Sequence, residues 1–433
     1  MRRPPLPYVS ALGLTAAVLA ARLVPAAALT DPAGGVIPAG IQLSVPGVYL
    51  LLAPLFALWD GVALLSRSRM EGFMLGTLTA YAAWRVTRRC CVRRCMVSAA
   101  WREGVMLVLV AAVLVGFVLG GALWHRPMVT LAGVPDTQMV VDFHTHTDSS
   151  RDVRGTLVGW YDLEANRRWH DRAGYDVAFI TDHNRRTLDV PSVGGPGAPV
   201  LCPGSEIGAF KSHVILLGAG SESDRDPYER ELGGLLRLLR ESRAAGTPAI
   251  LSIPEYERNH RDRLGELLAA GAAGLEISNG SPKANELSGE RRDTVIAIAR
   301  AHDAEVLGVS DHHGWGATAM TWSLLPRPAG ASGGELCAAA VDVITSEGFQ
   351  AAQIAERHRV APDAWWPSLL TPVAVVWEGW RSMGWPLTFA WLGWIWIGAL
   401  VVAPVRVSGR PPLAIRPTGR RRSPTRGPAP PAE

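Results

Sequence analysis

An α/β domain carried between membrane-spanning helices is the architecture this sequence predicts, and three observations predict it. Uncharged apolar stretches of 20 residues lie on either side of the chain's middle, Val105–Trp124 and Pro386–Val405, the length a helix needs to cross a bilayer core. Between them short apolar runs alternate with longer amphipathic stretches, as strands and helices do in a mostly parallel sheet or barrel. Acids and histidines follow the apolar runs, where the strand ends of such a fold converge.

Composition fits. The 433 residues give room for two or three compact units. A net charge of +4 with 19% charged residues excludes a disordered polyelectrolyte, and five cysteines exclude a disulfide-stapled mini-domain. Among 43 basic residues only Lys211 and Lys283 are lysines, a skew that a GC-rich coding genome produces. No specific nucleic-acid partner is predicted.

In chain order, Tyr8–Thr30 is apolar apart from Arg22. It reads as a first helix with a snorkelling arginine, or as a signal peptide ending near Ala26, Ala27 and Ala28. Val48–Ser66 reads as a second span that contains Pro54 and Asp60, the acid lying near an interface. Gly72–Trp84 is too short to span comfortably, and Val105–Trp124 is the next span. Near the C-terminus 369–385 reads as an interfacial helix leading into Pro386–Val405. Half of the 16 tryptophans lie between Trp365 and Trp396, and indoles favour the membrane interface. The expected division is a membrane region over 1–137, a soluble domain over 138–360, a Trp-rich segment with the last span over 361–405, and a basic disordered tail over 406–433.

Arginines set the orientation, because positive residues stay in the cytoplasm. Arg2 and Arg3 precede the first segment, eight arginines lie between 67 and 102, seven follow the last span, and the 31–47 linker has none. The expectation is a multi-pass protein of the cell membrane, its partner the lipid bilayer. Both termini are then cytoplasmic and the soluble domain is extracytoplasmic. Cys90, Cys91 and Cys95 then sit in a cytoplasmic loop as reduced, inert thiols.

Within the soluble region the predicted strands are 139–143, 176–181, 200–202, 213–217, 249–253, 274–277 and 305–309, with helices over 157–173, 227–244 and 287–303. After the first strand come His144 and His146, then Asp148 and Asp152. Asp182 and His183 follow the second, and Glu206 the third. His213 opens another, Glu276 lies near the end of 274–277, and Asp311, His312 and His313 follow 305–309. Imidazoles and carboxylates meeting at one mouth are ligands for divalent metals such as Zn, Mn or Fe. There is neither a GxSxG elbow nor a P-loop, so metals must carry the chemistry.

These motifs resemble the PHP family, the polymerase and histidinol phosphatase superfamily of metal-dependent phosphoesterases. They are Asp142-Phe143-His144-Thr145-His146-Thr147, Ile180-Thr181-Asp182-His183-Asn184, Gly204-Ser205-Glu206, His213 and Gly308-Val309-Ser310-Asp311-His312-His313, in the family's order over roughly 140–320. The resemblance implies a distorted (β/α)7 barrel holding two or three divalent ions (Mn, Zn or Fe). His144, His146, Glu206 and Asp311 would hold one. Asp152, with Asp148 competing, would hold a second with His183 and His313. Glu206 would bridge to a third with His213. Where the family has a His-Pro the sequence reads Ser252-Ile253-Pro254-Glu255. Either the third ion is absent, or Glu255 or His260 reaches in.

The function expected is hydrolysis of a small-molecule or envelope phosphoester. The alternatives are a carbamate or carboxyl-ester hydrolase on the same centre, or a degenerate domain acting as a ligand-binding sensor. Asp182 would orient a ligand or take a proton, and His312 would contact substrate. Arg185 and Lys211 would hold a phosphate, chosen among Arg151, Arg154, Arg186 and Lys283. His125, His170, His302 and His358 read as structural or surface residues. Cys202 and Cys337 either pair or stay free.

Overall fold

The computed structural model describes residues 6–90, 100–218, 220, 224–316 and 318–408. Cys91 and Cys95 of the cysteine cluster, Arg2, Arg3, Arg93 and Arg94, and the tail from 409 onward lie outside the described residues.

The strands are β1 (Leu29–Thr30), β2 (Gln42–Ser44), β3 (Thr130–Ala132), β4 (Gln138–Thr145), β5 (Val177–Ile180), β6 (Val200–Ala209), β7 (Ser212–Leu217), β8 (Ala249–Leu251), β9 (Gly274–Asn279), β10 (Glu305–Val309), β11 (Thr321–Pro326) and β12 (Gln353–Arg357). Ten of them form one sheet in the order β1-β12-β11-β4-β5-β6-β7-β8-β9-β10. The steps β4-β5-β6 and β8-β9-β10 are parallel, and the others antiparallel. Helices such as Leu163–Ala173, Leu232–Ala244 and Gly289–Ala301 connect these strands. Met139 to Thr145 and Val177 to Ile180 are buried throughout, as strands with covered faces must be. The sheet curls into a half-barrel, so the chain after β10 returns to β4: Asp311 N–H donates to His144 O at 2.8 Å, and His146 N–H to His312 O at 2.9 Å.

Several element boundaries differ from expectation. The strand expected over 249–253 stops at Leu251, because Pro254 starts a helix at Ile253. The helix expected over 157–173 begins at Leu163, where Asp162 caps it by accepting from Ala165 N. β11, β12 and the helix Gly334–Ser346 were not foreseen. The region before 138 does not stay apart from the domain, since β1 pairs with β12.

Three helices, Leu6–Leu23, Trp101–Leu123 and Trp385–Ala403, are long and apolar enough to cross a membrane. The single span expected over 48–66 is absent. That segment forms two short helices, Gly47–Leu51 and Ala53–Ala63. Pro54 lies in the first turn of the second, whose 11 residues rise only about 16 Å. Gly72–Trp84, expected to be too short, lies instead within a 24-residue helix, Arg67–Cys90. That helix forms a hairpin with Ala100–Leu123. Arg85 Nε lies 2.8 Å from Glu103 Oε2 at the far end, and Arg67 N–H donates to Pro282 O of the domain at 3.1 Å. Leu6–Leu23 pairs in the same way with the last helix, Arg22 lying over the Trp385 ring.

Asp60 ties these helices to the sheet. It is buried; Oδ1 lies 2.5 Å from Arg126, and Oδ2 lies 3.3 Å from Arg357 and accepts from Tyr49 Oη at 3.1 Å.

Cys202 and Cys337 are disulfide-bonded across 135 residues, between β6 and the helix Gly334–Ser346. Closing a loop of that length removes about 5 kcal/mol of unfolded-chain entropy in the simplest treatment, and about 2–5 kcal/mol is typical for native bridges. Cys202→Ser with Cys337→Ser is expected to lower the unfolding free energy by about 2–5 kcal/mol, read from the denaturant midpoint and slope. A change under about 1 kcal/mol, or free thiols in the non-reduced protein, would count against the bond.

Candidate metal centre

The expected ligands meet where β4, β5 and β10 end. His144 is the penultimate residue of β4 and His146 follows it by two positions, so both rings face the same way. The turn after β5 delivers His183, β6 delivers Glu206, and β7 returns through a tight hairpin to deliver His213, paired with Gly208. After β10, Asp311 adopts a left-handed backbone (φ 47°), an uncommon state of the kind stored at functional sites. It brings its carboxylate and His313 into the same space.

Three overlapping groups result, each with donor atoms within 4.8 Å of one another: His146, Asp152, His183 and His313; His144, His146 and Glu206; His183, Glu206 and His213. His144 Nε2 and His146 Nε2 are 3.0 Å apart. Each lies 3.4 Å from Glu206 Oε2, and they lie 3.4 and 3.3 Å from Asp311 Oδ1. Asp152 Oδ2 lies 3.0 Å from His183 Nε2 and 2.8 Å from His313 Nε2. Glu206 reaches His183 Nδ1 with Oε2 and His213 Nδ1 with Oε1, both at 2.9 Å.

The arrangement fits a divalent cation. Glu206 Oε2 is buried and has no hydrogen-bond partner among the described residues, although three imidazoles surround it. Imidazole and carboxylate donors converging at these distances form a site that a cation can take once the imidazoles give up their protons. The opposite ring atoms are held as a ligand requires: His144 Nδ1 by Glu276 Oε1 at 2.6 Å, His146 Nδ1 by Ser150 Oγ at 3.1 Å, and His313 Nδ1 by Asp311 O at 2.8 Å. Glu276 is thus an orienting residue whose role the sequence left unread. His170 Nε2 and Ser310 N both meet the Asp142 carboxylate at 2.9 Å, pinning the β10 turn to β4.

Burial alone would depress the His183 pKa, but the charges of Glu206 and Asp152 override it and hold it at about 11. His213 and His313 are raised by neighbouring carboxylates in the same way. His146 falls to about 4, first through burial and then through His313. Asp152, Asp311 and Glu206 are held below the carboxylate range, burial being outweighed by the imidazoles around them. The metal-free centre is therefore protonated at neutral pH, and a metal must displace those protons. Titration calorimetry of Zn or Mn binding at pH 7.5, in buffers of different ionisation enthalpy, is expected to show at least about one proton released per chain. Affinity should then rise about tenfold per pH unit per proton. Binding without proton release would contradict these charge states.

All eight expected ligands are brought together, with Asp152 rather than Asp148 in the cluster. Of the residues expected to act on substrate, His312 lines the cavity at the cluster, and Asp182, Arg185 and Lys211 do not. Asp182 is buried with both oxygens occupied: Oδ1 accepts from Thr147 N and Oδ2 from the hydroxyls of Thr147 and Thr187. Arg185 is exposed and does not line the cavity at the cluster. Lys211 sits at the tip of the β6–β7 hairpin with positive φ, its Nζ over Phe210. Lys283 is the one lysine or arginine lining that cavity among the described residues. His312 lines it as well, buried and stacked on Trp169 with ring centroids 3.9 Å apart. At the departure from the family pattern, Ile253 is buried in the core. His260 Nε2 bonds Phe210 O at 3.0 Å and so is used elsewhere. Glu255 lines the cavity, its Oε2 3.9 Å from His213 Nδ1.

No family model matches the sequence, and no curated protein matches it. Among solved structures, the crystal structure of PsfC from Pseudomonas syringae PB-5123 is similar at 14% identity and a TM-score of 0.34, over 56% of this chain and 96% of that one. A likeness at that score carries no argument.

Proposed function

We propose that the chain is a membrane-anchored, metal-dependent hydrolase of the PHP type that cleaves phosphoesters. One observation carries the reading. The buried Glu206 carboxylate is ringed by His144, His146, His183 and His213 at 2.9 to 3.4 Å, with Asp311 and Asp152 completing the set. The return of the chain after β10 to β4 supports the barrel part of the reading. A pair of Zn, Mn or Fe ions bound there supplies Lewis acidity, acidifying water and neutralising charge on a phosphoryl oxygen. Glu276 and Ser150 hold the histidine rings in place, and Lys283 offers a cation to the phosphate. Glu255, its carboxyl raised by burial against the opposing pull of His213, lines the cavity where it could hand a proton to a leaving alcohol.

The extracytoplasmic placement is supported by the Cys202–Cys337 bond, which belongs to oxidising compartments. It is supported further by Arg85 and Arg88, which lie toward the end of Arg67–Cys90 remote from the domain.

The test uses the full chain in detergent. Bound metal is measured by elemental analysis, alongside metal-dependent cleavage of a phosphodiester, a phosphomonoester and an aryl ester, with His144→Ala as control. Stoichiometric metal with phosphoester turnover lost in the variant is expected. Preference for the aryl ester would move the reading to a carboxyl-ester hydrolase, and metal without turnover to a sensor.

A further inference from the structure

The cavity at the metal ligands measures about 520 Å³, and its walls come from two sources. One is the polar cluster. The other is apolar and comes from helices outside the sheet: Trp59 and Val62 of Ala53–Ala63, Met70 of Arg67–Cys90, and Val118, Gly121 and Ala122 of Ala100–Leu123. Met70 lies in the first turn of its helix, and Val118 to Ala122 in the last turns before Leu123. Both ends abut the domain, through Arg67 N to Pro282 O at 3.1 Å and Gly316 N to Ala122 O at 2.5 Å. Trp101–Leu123 is the most apolar of the candidate spans. The apolar wall therefore stands where a bilayer core gives way to its headgroups, and it runs without a break into the ligand cluster. A water-soluble ester leaves such a wall unused, whereas an apolar chain lying on it removes that surface from water.

We propose that the substrate is a membrane lipid whose phosphoester enters from the bilayer, an inference that rests on the phosphoesterase reading. The headgroup phosphate sits between the ligand cluster and Lys283, and the first part of the apolar chain lies against Trp59, Val62, Met70 and Val118. In the reaction the oxygen of water joins phosphorus and the P–O bond to the leaving alcohol breaks. One water proton passes to that alkoxide and the other stays with the phosphate.

The test compares dioleoyl phosphatidylglycerol and dioleoyl phosphatidate, in micelles with the metal-loaded full chain, against their deacylated counterparts, glycerophosphoglycerol and glycerol phosphate. At least one lipid is expected to exceed its deacylated counterpart in kcat/KM by about tenfold or more, the effect of burying two methylenes. Val118→Trp, with Met70→Trp as a second variant, is expected to lower lipid turnover about tenfold relative to turnover of bis(4-nitrophenyl) phosphate. Equal cleavage of the lipids and the deacylated esters by the parent chain would overturn this inference alone. Hydrolysis of none of the four, with bis(4-nitrophenyl) phosphate still cleaved, would also overturn this inference alone, and failure to cleave any of the five would overturn the phosphoesterase reading with it.

Discussion

Glu206→Gln is expected to remove at least one bound metal per chain and to lower turnover about a thousandfold or more, equivalent to about 4 kcal/mol of transition-state stabilisation. The substitution keeps the volume of a residue that is almost completely buried, so the fold has little reason to respond. It removes the one charge that four imidazoles share, and it points an amide N–H₂ at ring nitrogens that need acceptors or a cation. Glu276→Gln offers the contrast. Of the candidate ligands it touches only the far nitrogen of His144, at 2.6 Å, while its other oxygen accepts from Ser252 Oγ, Ile253 N and Asn279 Nδ2, and the loss expected for an orienting partner is about 10- to 100-fold. Elemental analysis and kcat for the two variants check the ordering. Equal losses would mean that Glu206 is not a shared ligand.

The second large effect is on stability. Asp60→Ala leaves Arg126 and Arg357 facing an uncompensated gap, with the Arg126 side chain only 1% exposed. Removing one member of a buried ion pair costs about 3–5 kcal/mol. The loss is expected in denaturant unfolding of the full chain in detergent. Asp60→Asn, which preserves the acceptor for Tyr49 and Arg357, should lose less. A cost below about 1 kcal/mol for Asp60→Ala, the range of exposed pairs, would show that the network adds nothing.

The centre was legible in the sequence because its ligands sit at the ends of strands, where local order and fold topology agree. His144 and His146 needed only the two-residue period of a strand, and Asp311 and His313 only the end of an apolar run. What the sequence hid depends on contacts between distant segments. Lys211 flanks a motif residue in sequence, but a two-residue hairpin turn carries it outward, while Lys283 reaches the cavity from a loop far along the chain. The helix over 67–90 was obscured by Arg67, Arg69 and Glu71 at its start. Arg69 is in fact buried, donating to the carbonyls of Ala361, Pro362, Ala364 and Trp366, and such a partnership leaves no local pattern. β1 is two residues long, below the length at which alternation is visible.

The loop from Asp311 to Gly316 carries two ligands, and it is fastened to the end of the helix that runs from Trp101 to Leu123. Gly316 N donates to Ala122 O, Arg126 spans the carbonyls of Gly121 and Gly316, and His125 Nε2 meets Gly314 O. A rigid rod embedded in a lipid film tilts when the film thins and straightens when it thickens. Here such a helix ends against the loop that holds Asp311 and His313. In a membrane, a change of tilt at this helix would be carried by these bonds to Asp311 and His313, with no lipid entering the site.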